Sequence, residues 1–245
     1  MKILVIGQSG FLGSSIINYA GRIHPSIEFP IFKRENFFDS VELDNQINNC
    51  DIIILLSAIC RGLPDEDIYN LNMTYVDMLI EALKRVNKSR KIVFPSSVQE
   101  EDPSGYGRSK KDGRTKLAEW TTNNDCQYLG LILPNIFGAN AKINYASFIA
   151  TFCHYVHIGK SPTILVDNTI KLLYVDDFVN ELMFLLLNEI TSDKLVLEKT
   201  YSYKVSEVLE KLYYFKKCID NKQTVKYNST FDIFLHKTFL NYEPE

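Results

Sequence analysis

Lys2-Ile3-Leu4-Val5-Ile6-Gly7-Gln8-Ser9-Gly10-Phe11-Leu12-Gly13 opens the chain, and its reading decides the fold. The apolar, β-branched run Ile3–Ile6 suits a buried parallel strand. It runs straight into three glycines spaced G-x-x-G-x-x-G. Phe11, Leu12, Ile16, Ile17 and Tyr19 then recur near helical spacing. Strand, glycine turn and helix in this order are the context in which a glycine pattern carries meaning. Gly7 permits a tight turn, Gly10 lets backbone approach a pyrophosphate, and Gly13 lets the helix pack closely on the strand. The unpaired N–H groups and positive dipole end of the helix complete an anion site. These observations predict a nucleotide-binding α/β domain.

Outward from this stretch, Glu28–Phe32 is read as a second strand, followed at once by Lys33-Arg34. Dinucleotide sites that select NAD place an acid about 20 residues past the glycines, whereas a cation there suits the extra phosphate of NADP. Lys33 and Arg34 therefore favour NADPH, and Glu35 beside them keeps NAD(H) open. Further strand-like runs occur at Ile52–Leu56, Lys91–Pro95 and Tyr128–Leu133, with helical patterns over Leu71–Val86 and Gly105–Trp120. Alternation of this kind predicts a Rossmann-type, doubly wound parallel sheet. Gly7, Ala58, Ser96-Ser97 and Pro134-Asn135 each fall at or just past a strand end, where such sheets bind ligands. Beyond residue 135 the rhythm loosens into a helix (Ala146–Ile158), strands (Thr163–Val166 and Lys171–Val175) and helices (Phe178–Asn188, with Asp176 or Asp177 as cap, and Val205–Lys217). Residues 1–135 are expected to form the cofactor-binding core. Residues 136–245 are expected to form mainly a small C-terminal substrate-binding lobe, with Lys171–Asn188 returning to the core.

Tyr106 and Lys110 stand four apart, so on a helix they share a face. An ammonium beside a phenol favours phenolate and fits the tyrosine for proton transfer. Ser97, nine residues upstream, supplies a second hydroxyl.

The chain has 245 residues, 46% hydrophobic and 23% charged, with a net charge of −3. This is an ordinary globular composition with no electrostatic footprint for nucleic acid. No run approaches the ~20 apolar residues of a membrane helix, and the opening strand does not read as a signal peptide. Cys50, Cys60, Cys126, Cys153 and Cys218 are odd in number and form no C-x-x-C, so they are expected to be reduced thiols of a cytoplasmic protein. Cys153, His154 and His157 lie in an apolar stretch without a convincing fourth ligand, and are expected to pack rather than hold metal.

Taken together, Gly7-x-x-Gly10-x-x-Gly13, Ser57-Ala58, Asn72, Ser96-Ser97, Tyr106-x-x-x-Lys110, Pro134-Asn135-Ile136-Phe137-Gly138 and Tyr174-Val175-Asp176-Asp177 resemble the extended short-chain dehydrogenase/reductases that act on nucleotide sugars. Ser147–Cys153 and Phe239-Leu240-Asn241-Tyr242 narrow the likeness to the reductase half of bifunctional capsular-polysaccharide reductase/epimerases, which make precursors of UDP-N-acetyl-L-fucosamine. The resemblance implies a 4-keto-6-deoxy nucleotide-sugar reductase with Ser97, Tyr106 and Lys110 catalytic. It implies cofactor contacts at Gly7, Ser9, Gly10, Phe11, Leu12, Gly13, Lys33, Arg34, Ser57, Ala58, Tyr106, Lys110 and Pro134, and substrate contacts at Arg61, Ser97, Gln99 and Asn135. It also implies a homodimer paired through the Leu71–Val86 and Gly105–Trp120 helices, and a separate cupin-like epimerase as partner. Two departures stand out: Pro95 replaces a hydroxyl residue before Ser96-Ser97, and Ile132 replaces an arginine. Val98-Gln99 after Ser97, in place of Asp-Glu, argues against a dehydratase. An epimerase with tightly bound NAD and a non-catalytic NADP-binding regulatory module are the alternatives.

Overall fold

The structure, a computed structural model, describes residues 1–244. In chain order its elements are β1 (Ile3–Ile6), α1 (Phe11–Ile23), α2 (Ser40–Asn48), β2 (Ile52–Leu55), α3 (Asp65–Val86), β3 (Lys91–Ser97), α4 (Gly105–Thr122), β4 (Gln127–Leu133), β5 (Asn135–Phe137), α5 (Phe148–His157), β6 (Thr169–Tyr174), α6 (Val175–Leu187), β7 (Ser192–Val196), β8 (Tyr201–Lys204), α7 (Val205–Asp220) and α8 (Thr230–Leu240). The chain divides into two compact units, Met1–Leu133 with Val179–Leu197, and Pro134–Phe178 with Glu198–Glu245. The segment returning to the first unit is thus Val179–Leu197.

The first unit is built on a five-stranded sheet in the order β1-β2-β3-β4-β7, parallel throughout. Leu4, Ile6, Ile53, Leu55, Ile92 and Phe94 pack with apolar side chains of α2, α3 and α4 into one core. The alternate residues Ile3, Val5, Ile52, Ile54 and Val93 are equally buried, so both faces of the sheet are covered. α1 meets α6 through a hydrogen bond from Asn180 Nδ2 to the Tyr19 hydroxyl (3.0 Å). α3 starts six residues before the expected Leu71: Pro64 precedes Asp65, Glu66 and Asp67, three acids that favour a helix N-terminus.

The expected strand at Glu28–Phe32 does not form. Only Lys2 bridges Glu28, in parallel. Pro30 has no N–H to give a ladder, and the Gln8 side chain takes up backbone groups on either side of Ile31 instead. The bridge still fixes topology. Ile3 N–H turns to Glu28 while the Lys2 carbonyl turns to Asp51 and Ile52, so β1 has neighbours on both sides and the winding reverses there. Ligands of open α/β sheets bind at such a reversal, beyond the carboxyl ends of the strands.

In the second unit β5 pairs in parallel with β6, and β6 antiparallel with β8. The expected strand Thr163–Val166 is irregular chain, and Leu165 and Val166 are exposed. Asp176 and Asp177 lie in the first turn of α6 rather than capping it. Phe137, Tyr174, Tyr203, Phe231 and Phe234 form an aromatic core, with Tyr203 stacked on Phe231 and Tyr174 on Phe234, both at 4.2 Å. Cys153 is fully buried, and His157 stacks on Phe239 at 3.9 Å with Nε2 2.8 Å from its carbonyl, so these two side chains are engaged in packing.

Candidate active site

The glycine turn is held by backbone contacts that no other residue would allow. Gly7 has φ of +107°, and a Cβ there would lie 3.0 Å from the Ser57 nitrogen. A Cβ on Gly13 would lie 2.2 Å from the Gly7 carbonyl oxygen. Gly10, the N-cap of α1, donates to Gly7 O and offers no side chain as cap. The N–H groups of Phe11, Leu12 and Gly13 are those that a helix leaves without an intrahelical partner. Ser9 and Gly10 are exposed around them. This cradle of backbone donors, closed to side chains within and open without, fits a dinucleotide pyrophosphate. Leu56 and Ser57 both donate from backbone to Ile6 O, which sets Ser57-Ala58 beside the turn. Lys33 and Arg34 are exposed, and among the described residues neither makes an ion pair with a carboxylate within 4.0 Å.

Ser97 is the last residue of β3, paired with Leu133 at the end of β4. Its Oγ accepts from Gln99 N at 3.1 Å, capping a single 3-10 turn, Val98–Glu101. That bond uses the oxygen as acceptor and leaves the hydroxyl proton to donate. Tyr106 sits in the first turn of α4, whose N-cap Ser104 accepts from Gly107 N at 3.2 Å. The glycines flanking Tyr106 are forced by crowding. A Cβ on Gly105 would lie 1.8 Å from Asp65 O, and one on Gly107 would lie 2.3 Å from Gln99 O and 2.4 Å from Asp102 O. Asp65 Oδ2 also accepts from Gly105 N at 2.9 Å, fastening the start of α4 to the start of α3.

Lys110, one turn on, is buried. Its Nζ donates to Pro95 O at 2.8 Å and lies 4.7 Å from the Phe94 ring centroid and 5.9 Å from that of Tyr106. Two of its three N–H groups are left for other acceptors. Burial pushes its pKa down from 10.5 to about 8, against the opposing pull of Glu100 and Cys60. Pro95 is tolerated inside the sheet because β2 pairs with β3 only as far as Val93, two residues before it. The Asn72 side chain spans this region: its Oδ1 accepts from Ile59 N (2.7 Å), and its Nδ2 donates to Ile59 O (2.9 Å) and Ser109 Oγ (3.0 Å). Ser109 Oγ in turn donates to Tyr106 O at 2.8 Å.

Beneath these groups lies a buried ion pair that spacing alone did not reveal. Glu100 binds Arg114 at two points and accepts from Ser96 Oγ, while Arg114 donates to Asp193 O at 2.9 Å. Burial alone would raise the Glu100 carboxyl, but Arg114, Ser96 and Lys194 outweigh it and hold it below the ordinary 4.5. Ile132, the departure from the expected arginine, is a buried core residue of β4.

The first unit thus carries Ser97 at the end of β3, Tyr106 and Lys110 on α4, Gly7–Gly13 and Ser57-Ala58 past the ends of β1 and β2, and Lys33 and Arg34 on the irregular segment after the Glu28 bridge. Arg61 and Gln99 are exposed on its surface. Pro134 and Asn135 belong to the second unit. There Pro134 is buried, and the exposed Asn135 lines a small cavity of about 30 Å³ together with Phe137, Ser147, Phe148 and Leu172. Among the described residues no group of three or more His, Cys, Asp or Glu could hold a metal ion, and no helix is long and apolar enough to cross a membrane.

A nucleotide cradle next to a Ser-Tyr-Lys constellation defines a class, and comparison agrees with it: over residues 3–196 the chain matches, and belongs to, the NAD dependent epimerase/dehydratase family. Along its whole length it is 30% identical to UDP-2-acetamido-2,6-beta-L-arabino-hexul-4-ose reductase of Pseudomonas aeruginosa, spanning 66% of that protein. It is also similar to the crystal structure of capsular polysaccharide assembling protein CapF from Staphylococcus aureus, with a TM-score of 0.81 and 25% identity, covering all of this chain and 65% of that one. RMD from Pseudomonas aeruginosa, in a complex with NADPH, superposes with a TM-score of 0.80 at 16% identity over 99% of both chains, a likeness of fold alone.

Proposed function

We propose that this chain is an NADPH-dependent reductase of a 4-keto-6-deoxy nucleotide sugar, serving surface polysaccharide biosynthesis. The observation that carries the reading is the buried Lys110 ammonium one turn behind Tyr106, with the Ser97 hydroxyl at the neighbouring strand end. The Pseudomonas reductase, aligned over the whole chain, supports a keto group at C4 of a UDP sugar. The likeness to CapF supports a polysaccharide setting.

Bound NADPH would supply the hydride. Ser97 and Tyr106 donate hydrogen bonds to the carbonyl oxygen, where negative charge develops in the transition state. Tyr106 then delivers its proton to that oxygen. Lys110 keeps a positive charge behind the phenol and has N–H groups to spare for a ribose hydroxyl. Gly7, Ser9, Gly10, Phe11, Leu12 and Gly13 would hold the pyrophosphate, and Lys33 and Arg34 a 2′-phosphate. Ser57, Ala58 and Pro134 would line the rest of the cofactor, while Arg61, Gln99 and Asn135 would bind substrate. The ketosugar must come from another activity, and an epimerase or dehydratase acting on the same nucleotide sugar is the class that would supply it. A homodimer through α3 and α4 would have to use a polar face, since Arg108–Glu66, Lys116–Asp77 and Tyr69–Asp112 contacts lace the exposed sides of those helices.

The test follows loss of the reduced nicotinamide absorbance near ~340 nm with NADPH and a panel of 4-keto-6-deoxy UDP and dTDP sugars. Oxidation by the wild type and not by Tyr106→Phe is expected. Measured NADPH binding with no oxidation of any substrate would move the assignment to an epimerase or a binding module.

A further inference from the structure

One polar side chain of the glycine turn does not face the cradle. The Gln8 amide reaches across to the segment where a strand was expected: its Nε2 donates to Pro30 O, and its Oε1 accepts from Phe32 N at 3.0 Å. One amide thus engages a carbonyl and an N–H two residues apart, as the edge of a neighbouring strand would. The chain downstream is fixed as well. Phe32 is buried edge-on against Phe37 at 6.3 Å. Asn36 Oδ1 accepts from Lys33 N at 2.7 Å, and Asn36 N and Phe37 N donate to Lys33 O and Arg34 O. The backbone of Lys33-Arg34 is therefore tied on one side to the phosphate turn and on the other to a short helical turn anchored by the buried Phe37, while both side chains project to solvent.

We infer that Gln8 is a specificity-determining residue, a staple that sets the Lys33-Arg34 pair at a fixed distance from the pyrophosphate cradle so that the two read an adenosine 2′-phosphate. This rests on the NADPH reading above and deepens it. Reading a phosphate at fixed distance requires that cradle and cations move as one body, because a cation on a loose loop loses part of its gain to ordering on binding. Phe32 and Phe37 anchor the segment in the core by apolar contact, but Pro30 cannot donate and the backbone bridge stops at Glu28, so the Gln8 amide supplies the directional polar tie between the glycine turn and the cations. A residue serving only to shape the turn would act on the pyrophosphate, which NADPH and NADH share. A staple for the cations acts on NADPH alone.

The experiment is isothermal titration of the purified chain with NADPH and with NADH, for wild type, Gln8→Ala, Gln8→Met, the pair Lys33→Ala/Arg34→Ala, and Gln8→Met within that pair. NADH affinity doubles as the check that each variant keeps a formed cradle. The expected result is a loss of about tenfold or more in NADPH affinity for both Gln8 variants, with NADH within about twofold of wild type. In the Lys33→Ala/Arg34→Ala background, Gln8→Met should have no further effect on NADPH, because coupled residues are not additive. Equal losses for both cofactors, or an undiminished Gln8 effect without the two cations, would overturn the inference while leaving the cofactor reading intact. A wild type that binds NADH as tightly as NADPH would overturn the cofactor reading, and the inference with it.

Discussion

The carboxylate of Glu100 grips the guanidinium of Arg114 at two points, 2.7 Å from Oε1 to Nε and 3.1 Å from Oε2 to Nη2, one helical turn past Lys110. Both side chains are nearly dry, at 2% and 10% exposure. The pair joins the turn after Ser97 to α4, and through Asp193 O to β7. Leaving one member of such a pair alone buries an uncompensated charge.

Glu100→Gln should therefore destabilise the protein by about 3–5 kcal/mol, measured by denaturant unfolding at neutral pH. Because the folded pKa of Glu100 is depressed, its contribution is full above the ordinary 4.5 and is lost as pH falls through the folded value. The gap between wild type and variant should narrow below pH 4.5. A constant gap across that range would show that the loss does not come from the ionised Glu100 carboxylate.

Lys110 makes a prediction of opposite sense. Its folded pKa of about 8 lies below the ordinary 10.5, so the ammonium is lost from the free protein as pH rises through about 8. kcat/KM, which reports the free enzyme, should fall through that pH as the charge behind Tyr106 disappears, and Glu100→Gln should move the fall to lower pH. Stability should rise between about 8 and 10.5, where the folded form is relieved of a buried charge that the unfolded form still carries in water. Lys110→Met should abolish both dependences. A rate profile flat to the alkaline side of 8 in the wild type would remove Lys110 from the mechanism.

The glycines around Tyr106 divide from another glycine in the same unit. Gly105→Ala drives a methyl into the Asp65 carbonyl, and Gly107→Ala into those of Gln99 and Asp102. Backbone cannot yield as a side chain does, so each should cost at least about 1–3 kcal/mol and lower kcat by displacing Tyr106. At Gly21, inside α1, an added methyl would meet nothing within 4 Å. Gly21→Ala should raise stability by about 0.5–1 kcal/mol with kcat unchanged. Melting and steady-state rates of the three variants check the contrast.

Asn72→Ala should strip three hydrogen bonds that join the Ile59 loop to Ser109. Leaving buried groups unpaired costs about 1–3 kcal/mol each, less where water enters. Faster hydrogen exchange at the Ile59 amide, whose acceptor is the Asn72 side chain, with reduced turnover, is the expected result. Unchanged exchange at Ile59 would mean the loop is held by other contacts.

Much of the first unit was legible because its signals are local. The run Ile3–Ile6 with its glycines, the repeated apolar strands, and the pairing of Tyr106 with Lys110 on one helix face each depend on residues close in sequence. What escaped depends on contacts between distant segments. Glu28–Phe32 has strand composition, yet Pro30 and the Gln8 amide left it a single bridge. Nothing near Glu100 or Arg114 in sequence marks them as a buried pair, because it is β3, α4 and β7 together that close over them. β7 (Ser-Asp-Lys-Leu-Val) and β8 (Tyr-Ser-Tyr-Lys) are too polar to announce themselves as strands. Gly105 reads as the start of a helix, but the need for glycine there comes from the Asp65 carbonyl, 40 positions away.

The parallel partner of β4 on its outer side is β7, and the 45 residues from Pro134 to Phe178 lie between the two stretches that make up the first unit. On a ribosome this order becomes a delay. β4 emerges with its outer edge unpaired and stays so until Ser192–Val196 has been made, which at ~5–20 residues per second takes seconds. During that interval Leu129, Leu131 and Ile132 present an apolar strand edge with no native neighbour. Nascent-chain chaperones should bind stalled chains whose β4 has left the exit tunnel while β7 has not, and release chains long enough for Leu197 to have left it as well.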